Sequence, residues 1–431
     1  MSLVFSARFG MGGLRPIACA ASACAGDGWG IVRSASRRNE SRRKAAGKEP
    51  VRHLRTRFPI HRSPPIRSCL KVLFIAAHRP DRSPSQRYRF EQFVPYWARH
   101  GVQVEYAWII DAEDDQVFYS PGRILAKARI FKKSLKLRAE HVRMARRFDL
   151  VVLQREALMT GSIRFERAFA NSGVPLIYDF DDAIWHMDVS EANRKLKWLK
   201  DPGKVPKIIA LAHHVIAGND YLADYARRFN KQVEVIPTVI DTERYVPRVT
   251  APRADGKVVI GWTGSLTSVA HLQLALPMLR DLQAKLDNKI ILRVISDRPL
   301  EAPGLKVENV RWNGATEAED LAGIDIGIMP LPDNEWSRGK CGFKGLQYMG
   351  MGKAVVLSRV GVNSTIVQDG VNGFLASTDA EWAEKLSKLI ADSDLRQRLG
   401  KAARRTVEEK YSVIAWRDRY LDLFNEMTRK T

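Results

Sequence analysis

The chain has 431 residues, 45% of them hydrophobic, and carries 70 Lys and Arg against 48 Asp and Glu, a formal charge of +22. That length exceeds what one hydrophobic core organises, so two domains with appendages are expected. No run approaches the ~20 apolar residues of a membrane-spanning helix, which argues against an integral membrane protein.

The charge surplus is uneven. Arg37, Arg38, Arg42, Arg43 and Lys44 typify a first stretch in which only Asp27, Glu40 and Glu49 are acidic. Residues 1–68 show no helical or strand period and are expected to be a disordered basic leader. An organelle-targeting segment, a nucleic-acid-binding arm and sequence upstream of the true start compete for it, and a dispensable leader is the simplest reading. Cys19, Cys24 and Cys69 lie in or beside it, leaving Cys341 alone in the body. A single body thiol forms no internal disulfide, which fits a reducing cytoplasm.

From Leu70 the punctuation becomes regular. Leu70–Ala77 is an apolar run of strand length, followed by a charged loop, a helix over Tyr88–His100 ended by Gly101, and a strand over Val102–Trp108. A basic amphipathic helix is expected within Pro121–Phe148, with Ile124, Ala128, Phe131, Leu135, Ala139 and Val142 on one face; it would either pack on the first sheet or lie on an anionic membrane. Strands at Asp149–Gln154, Pro175–Tyr178, His214–Ala217 and Val233–Ile236 continue the series. Asp241–Gly256, with Pro247 and Pro252, is expected to be a linker. A second strand–helix series follows, with strands at Lys257–Trp262, Ile290–Ile295, Val307–Trp312 and Ile324–Met329, then helices from Asp379 to the end. Such alternation predicts an α/β protein of two doubly wound domains with ligands in the cleft between them. The expected boundaries are 69–247, 256–410 and a terminal helix at 411–431.

Gly327–Ala376 is the most informative stretch. Its two strand-to-helix turns, at Arg338–Lys344 and Gly361–Asn363, combine free backbone N–H groups with nearby cations, a seat for a phosphorylated ligand. Asp179, Asp181 and Asp182 follow an apolar strand and should emerge at its carboxyl end, with Asp182 capping the next helix.

GFKGLQYMGMGKAVVLSRVGVNSTIVQDGVNGFLA (Gly342–Ala376) and VIPTVIDTERY (Val235–Tyr245) resemble the retaining glycosyltransferases of family 4, which have the GT-B fold of two facing Rossmann-like domains. SQRYRFEQFVPYW (Ser85–Trp97), FDLVVLQRE (Phe148–Glu156) and YDFDDAIW (Tyr178–Trp185) resemble a subgroup of it. The resemblance implies metal-independent transfer of a sugar, with retention and without a cofactor, from a UDP- or GDP-linked donor to a glycan or lipid-linked acceptor. It would take place in the cytoplasm or at the inner face of a membrane.

The family's paired Glu positions fall on Gly339 and Gln347, and its usual Arg and Lys after the first strand of the second domain are replaced by Gly264-Ser265. Lys340 and Lys344 would then meet the departing diphosphate. Gly264, Ser265, Gln347, Gly361, Val362 and Asn363 would bind the donor. Asp179 and Asp181 would orient or deprotonate the acceptor. His78, Arg79 and Arg87, with Arg89, would face an anionic acceptor. A catalytically silent nucleotide-sugar binder and a nucleic-acid-binding protein acting through the leader are the alternatives; the body lacks a recognition motif for nucleic acid, so that partner is not expected.

Overall fold

Short apolar runs buried on both faces form parallel strands, because helices cover each side of the sheet they build. The structure, a computed structural model, describes residues 69–186, 201–248, 253–265 and 268–429, all inside a unit spanning His61–Thr431. The expected leader lies outside the described residues.

The first sheet contains β1 (Leu70–Ile75), β2 (Val102–Ala107), β3 (Leu150–Gln154), β4 (Leu176–Phe180), β5 (His214–Ala217) and β6 (Val233–Val235), in the order β2-β1-β3-β4-β5-β6. The second contains β7 (Val258–Thr263), β8 (Ile290–Ser296), β9 (Val307–Arg311), β10 (Ile326–Met329), β11 (Ala354–Ser358) and β12 (Phe374–Ala376), in the order β12-β11-β10-β7-β8-β9. Every pairing is parallel. Strand order reverses at β1/β3 and at β7/β10, and the loops leaving these switch points are where such sheets bind ligands.

The terminal helix, Val413–Arg429, returns to the first domain. Its Tyr420, Leu421, Leu423 and Phe424 are buried with Phe90, Phe93 and Trp97, and the Trp97 and Phe424 rings meet edge-on at 5.1 Å. Each such side chain contributes roughly 1.5–3 kcal/mol on burial, so the helix is an integral layer of the first domain.

Three expectations need correction. The helix expected over Tyr88–His100 starts earlier and is broken, running Pro84–Arg89, then a tight turn Glu91–Phe93, then Val94–Arg99. Pro84 and Pro95 sit in the first turns of their helices, where a missing N–H costs nothing. The linker is structured at its start: Tyr245 is fully buried, and Ile240 N–H donates to Tyr411 at 2.8 Å.

The amphipathic helix, Ile124–Met144, is rotated from its apolar stripe and buries Lys127, Ile130, Ser134 and Arg138. The Arg138 guanidinium sets that rotation by donating to the carbonyls of Ala76, Ala107 and Ala157 at 2.7–2.8 Å, three groups at or beyond strand ends. Ile124, Leu125 and Phe131 are left 72%, 79% and 41% exposed.

Candidate functional site

The turn expected to seat a phosphate begins at Gly342, whose φ of +67° suits glycine and opens the helix Phe343–Gly350 without a side-chain cap. The first N–H groups of that helix therefore have no intrahelical acceptor. Lys344, in its first turn, is half-buried, lies 5.6 Å from the Trp262 ring centre, and has no ion pair or hydrogen bond among the described residues. Burial, then the neighbouring Lys340 charge, holds its ammonium down to about 8. His271 feels the same field: burial, then Lys344 and Lys340, push it down to about 4.

The Gly361 loop packs against this turn. A side chain at Gly361 would stand 2.8 Å from the Arg338 carbonyl, and one at Gly342 would meet Val362 and Asn363. The N–H groups of Gly361 and Val362 have no acceptor among the described residues. Asn363 donates to Ser358 at 3.0 Å, while its Oδ1 is buried without a partner. Gly264 differs from expectation: its N–H is spent on the Ile295 carbonyl at 3.0 Å, so it offers close approach beside Trp262 and Ser268 rather than a donor. Ser265 follows it, exposed.

Lys340 reaches across the domains. Its ammonium is 2.8 Å from Asp182 and 4.3 Å from the Trp336 ring centre. Arg155, with a strained φ of +58° at the end of β3, clamps Asp181 at 2.8 Å and Asp182 at 2.5 Å. Ser85 donates to Asp181 at 2.5 Å. Burial alone would raise the Asp181 carboxyl, but the Arg155 and Arg89 charges and the Ser85 bond lower it on balance. Asp182 is thus a bridge between domains, not the helix cap expected of it.

The same contact explains Gly339. A Cβ there would lie 2.6 Å from that of Ala183, and Asn219 donates to the Gly339 and Lys340 carbonyls at 3.2 and 3.0 Å. Gly339→Glu is expected to wedge this contact, costing roughly 1–3 kcal/mol, or about 2–4 °C of melting temperature per kcal/mol. An unchanged Tm would show that the two loops are not in contact in solution.

Asp179 does not fit the acceptor role expected of it. It is buried, with Arg89 2.5 Å away, and Arg89 also donates to the Ile236 carbonyl. Burial raises the Asp179 carboxyl against the pull of Arg89; with both oxygens facing one guanidinium, it anchors β4 rather than reaching a ligand.

The arginines expected to meet an anionic acceptor are also engaged. Arg79 pairs with Asp115 at 3.1 Å, and Arg87 turns to Glu317 of the second domain at 3.2 Å. His78 is in no ion pair among the described residues; it lies 3.0 Å from the Tyr119 hydroxyl. Burial, then the Arg82 charge, pushes it down to about 4, so it is neutral at pH 7.

Glu317 carried no expectation from the sequence. Its Oε2 faces the Tyr88 and Tyr245 hydroxyls at 2.8 and 2.7 Å and Arg87; its Oε1 accepts from Trp312 at 2.9 Å and Gln347 at 3.1 Å. Gln347, buried to 1% exposure, is therefore tied into an interdomain hub. The signal available was position, since Glu317 opens a helix just beyond the carboxyl end of β9, and Arg155 directly follows β3. Among the described residues no group of three or more His, Cys, Asp or Glu is placed to hold a metal ion.

Residues 257–392 match the family model described as glycosyl transferases group 1. No curated protein matches the chain by sequence. Among solved structures, the chain is similar to HepE of Anabaena in complex with UDP and glucose, at 17% identity over 83% of this chain and 100% of that one, TM-score 0.59. It is also similar to sucrose-phosphate synthase of Thermosynechococcus elongatus, at 14% identity over 84% and 100%, TM-score 0.60. A UDP-forming α,α-trehalose-phosphate synthase of Burkholderia xenovorans matches at 12% identity over 84% and 99%, TM-score 0.57. At these identities the structural likeness establishes the fold. The chain thus has the GT-B architecture, and its second half carries a group 1 glycosyltransferase domain.

Proposed function

We propose that the protein transfers a sugar, with retention, from a nucleotide-sugar to a glycan or lipid-linked acceptor, using Lys344 and the surrounding N–H groups in place of a metal ion to meet the donor diphosphate. The observation that carries this reading is a half-buried ammonium with no ion pair or hydrogen bond among the described residues, beside helix-start N–H groups and a loop whose Gly361 and Val362 N–H groups are also unspent among them. HepE, solved with UDP and with UDP-glucose, shares the fold and supports a UDP-linked donor.

In the reaction the sugar C1–phosphate oxygen bond breaks, the acceptor oxygen bonds C1, and the acceptor proton passes to the leaving phosphate oxygen. Asp179, Asp181 and Asp182 are all held in ion pairs, which favours this route over attack by an enzyme carboxylate. UDP or GDP at about 100 times its Kd should stabilise the protein by ~2.7 kcal/mol, several degrees in Tm. If neither shifts Tm, the donor reading fails.

The exposed Ile124, Leu125 and Phe131, interleaved with Arg123, Arg129, Lys132 and Lys136, favour peripheral attachment to an anionic leaflet, with the protein on the cytoplasmic side. Among the described residues no helix is long and apolar enough to cross a membrane. Co-sedimentation should rise with the fraction of anionic lipid and fall for Leu125→Glu; binding that ignores lipid charge would end this reading.

A further inference from the structure

A cavity of about 240 Å³ opens at the β1/β3 switch point, floored by the first domain and edged by Trp336 of the second. Its size suits a ligand no larger than about one sugar ring, below the ~300–1,000 Å³ of drug-sized sites. The cations that line it are already paired with carboxylates. The Lys204 ammonium donates to the carbonyls of Leu158 and Thr160 at 2.7 Å each and pairs with Glu156 at 2.8 Å, which uses all three of its hydrogens. Arg155 is committed to Asp181 and Asp182. At the rim, Arg79 and Arg82 share Asp115. An anion entering here would meet cations already engaged with carboxylates.

Three polar atoms are different. His78 Nδ1, Thr160 Oγ1 and His186 Nε2 are buried without hydrogen-bond partners, and all three residues line the cavity; His186 Nε2 already lies 3.3 Å from the Glu335 carboxylate, which leaves His78 and Thr160 for a ligand. Buried polar atoms are normally paired, so orphans at a cavity wall mark where a ligand's polar atoms belong. The imidazole is neutral at pH 7, so it matches a hydroxyl rather than a phosphate. Tyr119 and Trp336 add aromatic surface to the same wall. Trp336 also carries the Lys340 ammonium over its ring, placing this cavity one side chain away from the basic loop that begins the donor seat.

We propose that this cavity seats an uncharged saccharide, whose hydroxyls bond His78 Nδ1 and Thr160 Oγ1, and that this saccharide is the acceptor. Only the word acceptor rests on the glycosyl-transfer reading; the site itself does not. It replaces the anionic acceptor expected from the sequence, because the arginines that suggested it are paired with carboxylates within the fold.

The test uses the full chain and isothermal titration with methyl α-D-glucoside, methyl α-D-galactoside, methyl α-D-mannoside, glucose and glucose 6-phosphate. At least one neutral sugar should bind, glucose 6-phosphate should bind no more tightly than glucose, and His78→Phe and Thr160→Val should each weaken binding about five- to tenfold. Thr160→Ser, which restores the hydroxyl, should recover it and guards against a folding artefact. Tenfold tighter binding of the phosphate, no binding by any neutral sugar, or wild-type affinity in Thr160→Val would overturn the proposal. UDP titrated into the same proteins separates the two readings: wild type that binds a glycoside but neither UDP nor GDP loses its donor site and keeps this one.

Discussion

Replacing Lys344 by Met is expected to yield a more stable protein that holds a nucleoside diphosphate far less tightly. Burial and the Lys340 charge depress the Lys344 ammonium from its usual range near 10.5 to about 8. The folded state thus binds that proton less tightly than the unfolded chain, and carrying the charge below pH 8 works against folding. Removing it should raise stability at pH 7 by roughly 1–3 kcal/mol, discounted for the half-open site. In the wild type this penalty fades as pH rises from about 8 to 10.5, so the stability advantage of Lys344→Met over the wild type should shrink across that window.

Binding should move the other way. A charge-assisted bond to phosphate contributes roughly 1.5–3 kcal/mol, so UDP affinity should drop about 10- to 100-fold in the variant. In the wild type it should weaken as pH rises above 8, well clear of the phosphate's own pKa near ~6. Titrations of UDP from pH 7 to 10 combined with urea melts read both effects. A variant that loses stability and keeps its UDP affinity would show that Lys344 is a packing residue, and would remove the donor site with it.

The two sheets were legible because parallel strands covered on both faces need near-continuous apolar runs, as the LVVL of β3 and the VLFIAA that begins in β1 are. The lysine cluster was legible for a related reason: Gly342 and Gly361 punctuate strand-to-helix turns that any such fold uses for anions. What the sequence hid is pairing between distant segments, in one case across the cleft. Arg79, Arg87 and Arg89 look like a basic patch in the chain, yet each meets a carboxylate far off in sequence: Asp115, Glu317 and Asp179. Periodicity sees only neighbours within an element, so it also missed that Arg138, by satisfying three strand-end carbonyls, would turn the amphipathic helix away from its apolar stripe. Gly339 looked like the loss of a functional carboxylate; in the fold it is the place where the domains touch.

Glu317→Gln should be the most destabilising conservative change at the cleft. The carboxylate faces five donors from four separate chain segments, Arg87 and Tyr88 among them from the first domain. Burial pushes its carboxyl upward, but the Trp312 and Tyr245 bonds, the Arg87 charge and the Tyr88 bond outweigh it, and the group sits below the usual glutamate range. Its contribution to stability is therefore full above the unfolded pKa near ~4.3 and is lost as pH falls through the lower folded value. Gln keeps the shape but leaves the Arg87 guanidinium buried without a counter-charge and forces an amide N–H toward hydroxyl and indole donors. Breaking such a pair costs roughly 3–5 kcal/mol. Urea unfolding at pH 7 should register that loss, and the variant should lose less stability than the wild type on acidification below pH 4. Because the hub joins Gln347 to both domains, its failure should also weaken UDP binding without touching Lys344, a coupling that the double variant Glu317→Gln/Lys344→Met would reveal as non-additive. Additive effects would mean that the hub holds the domains together but does not shape the donor seat.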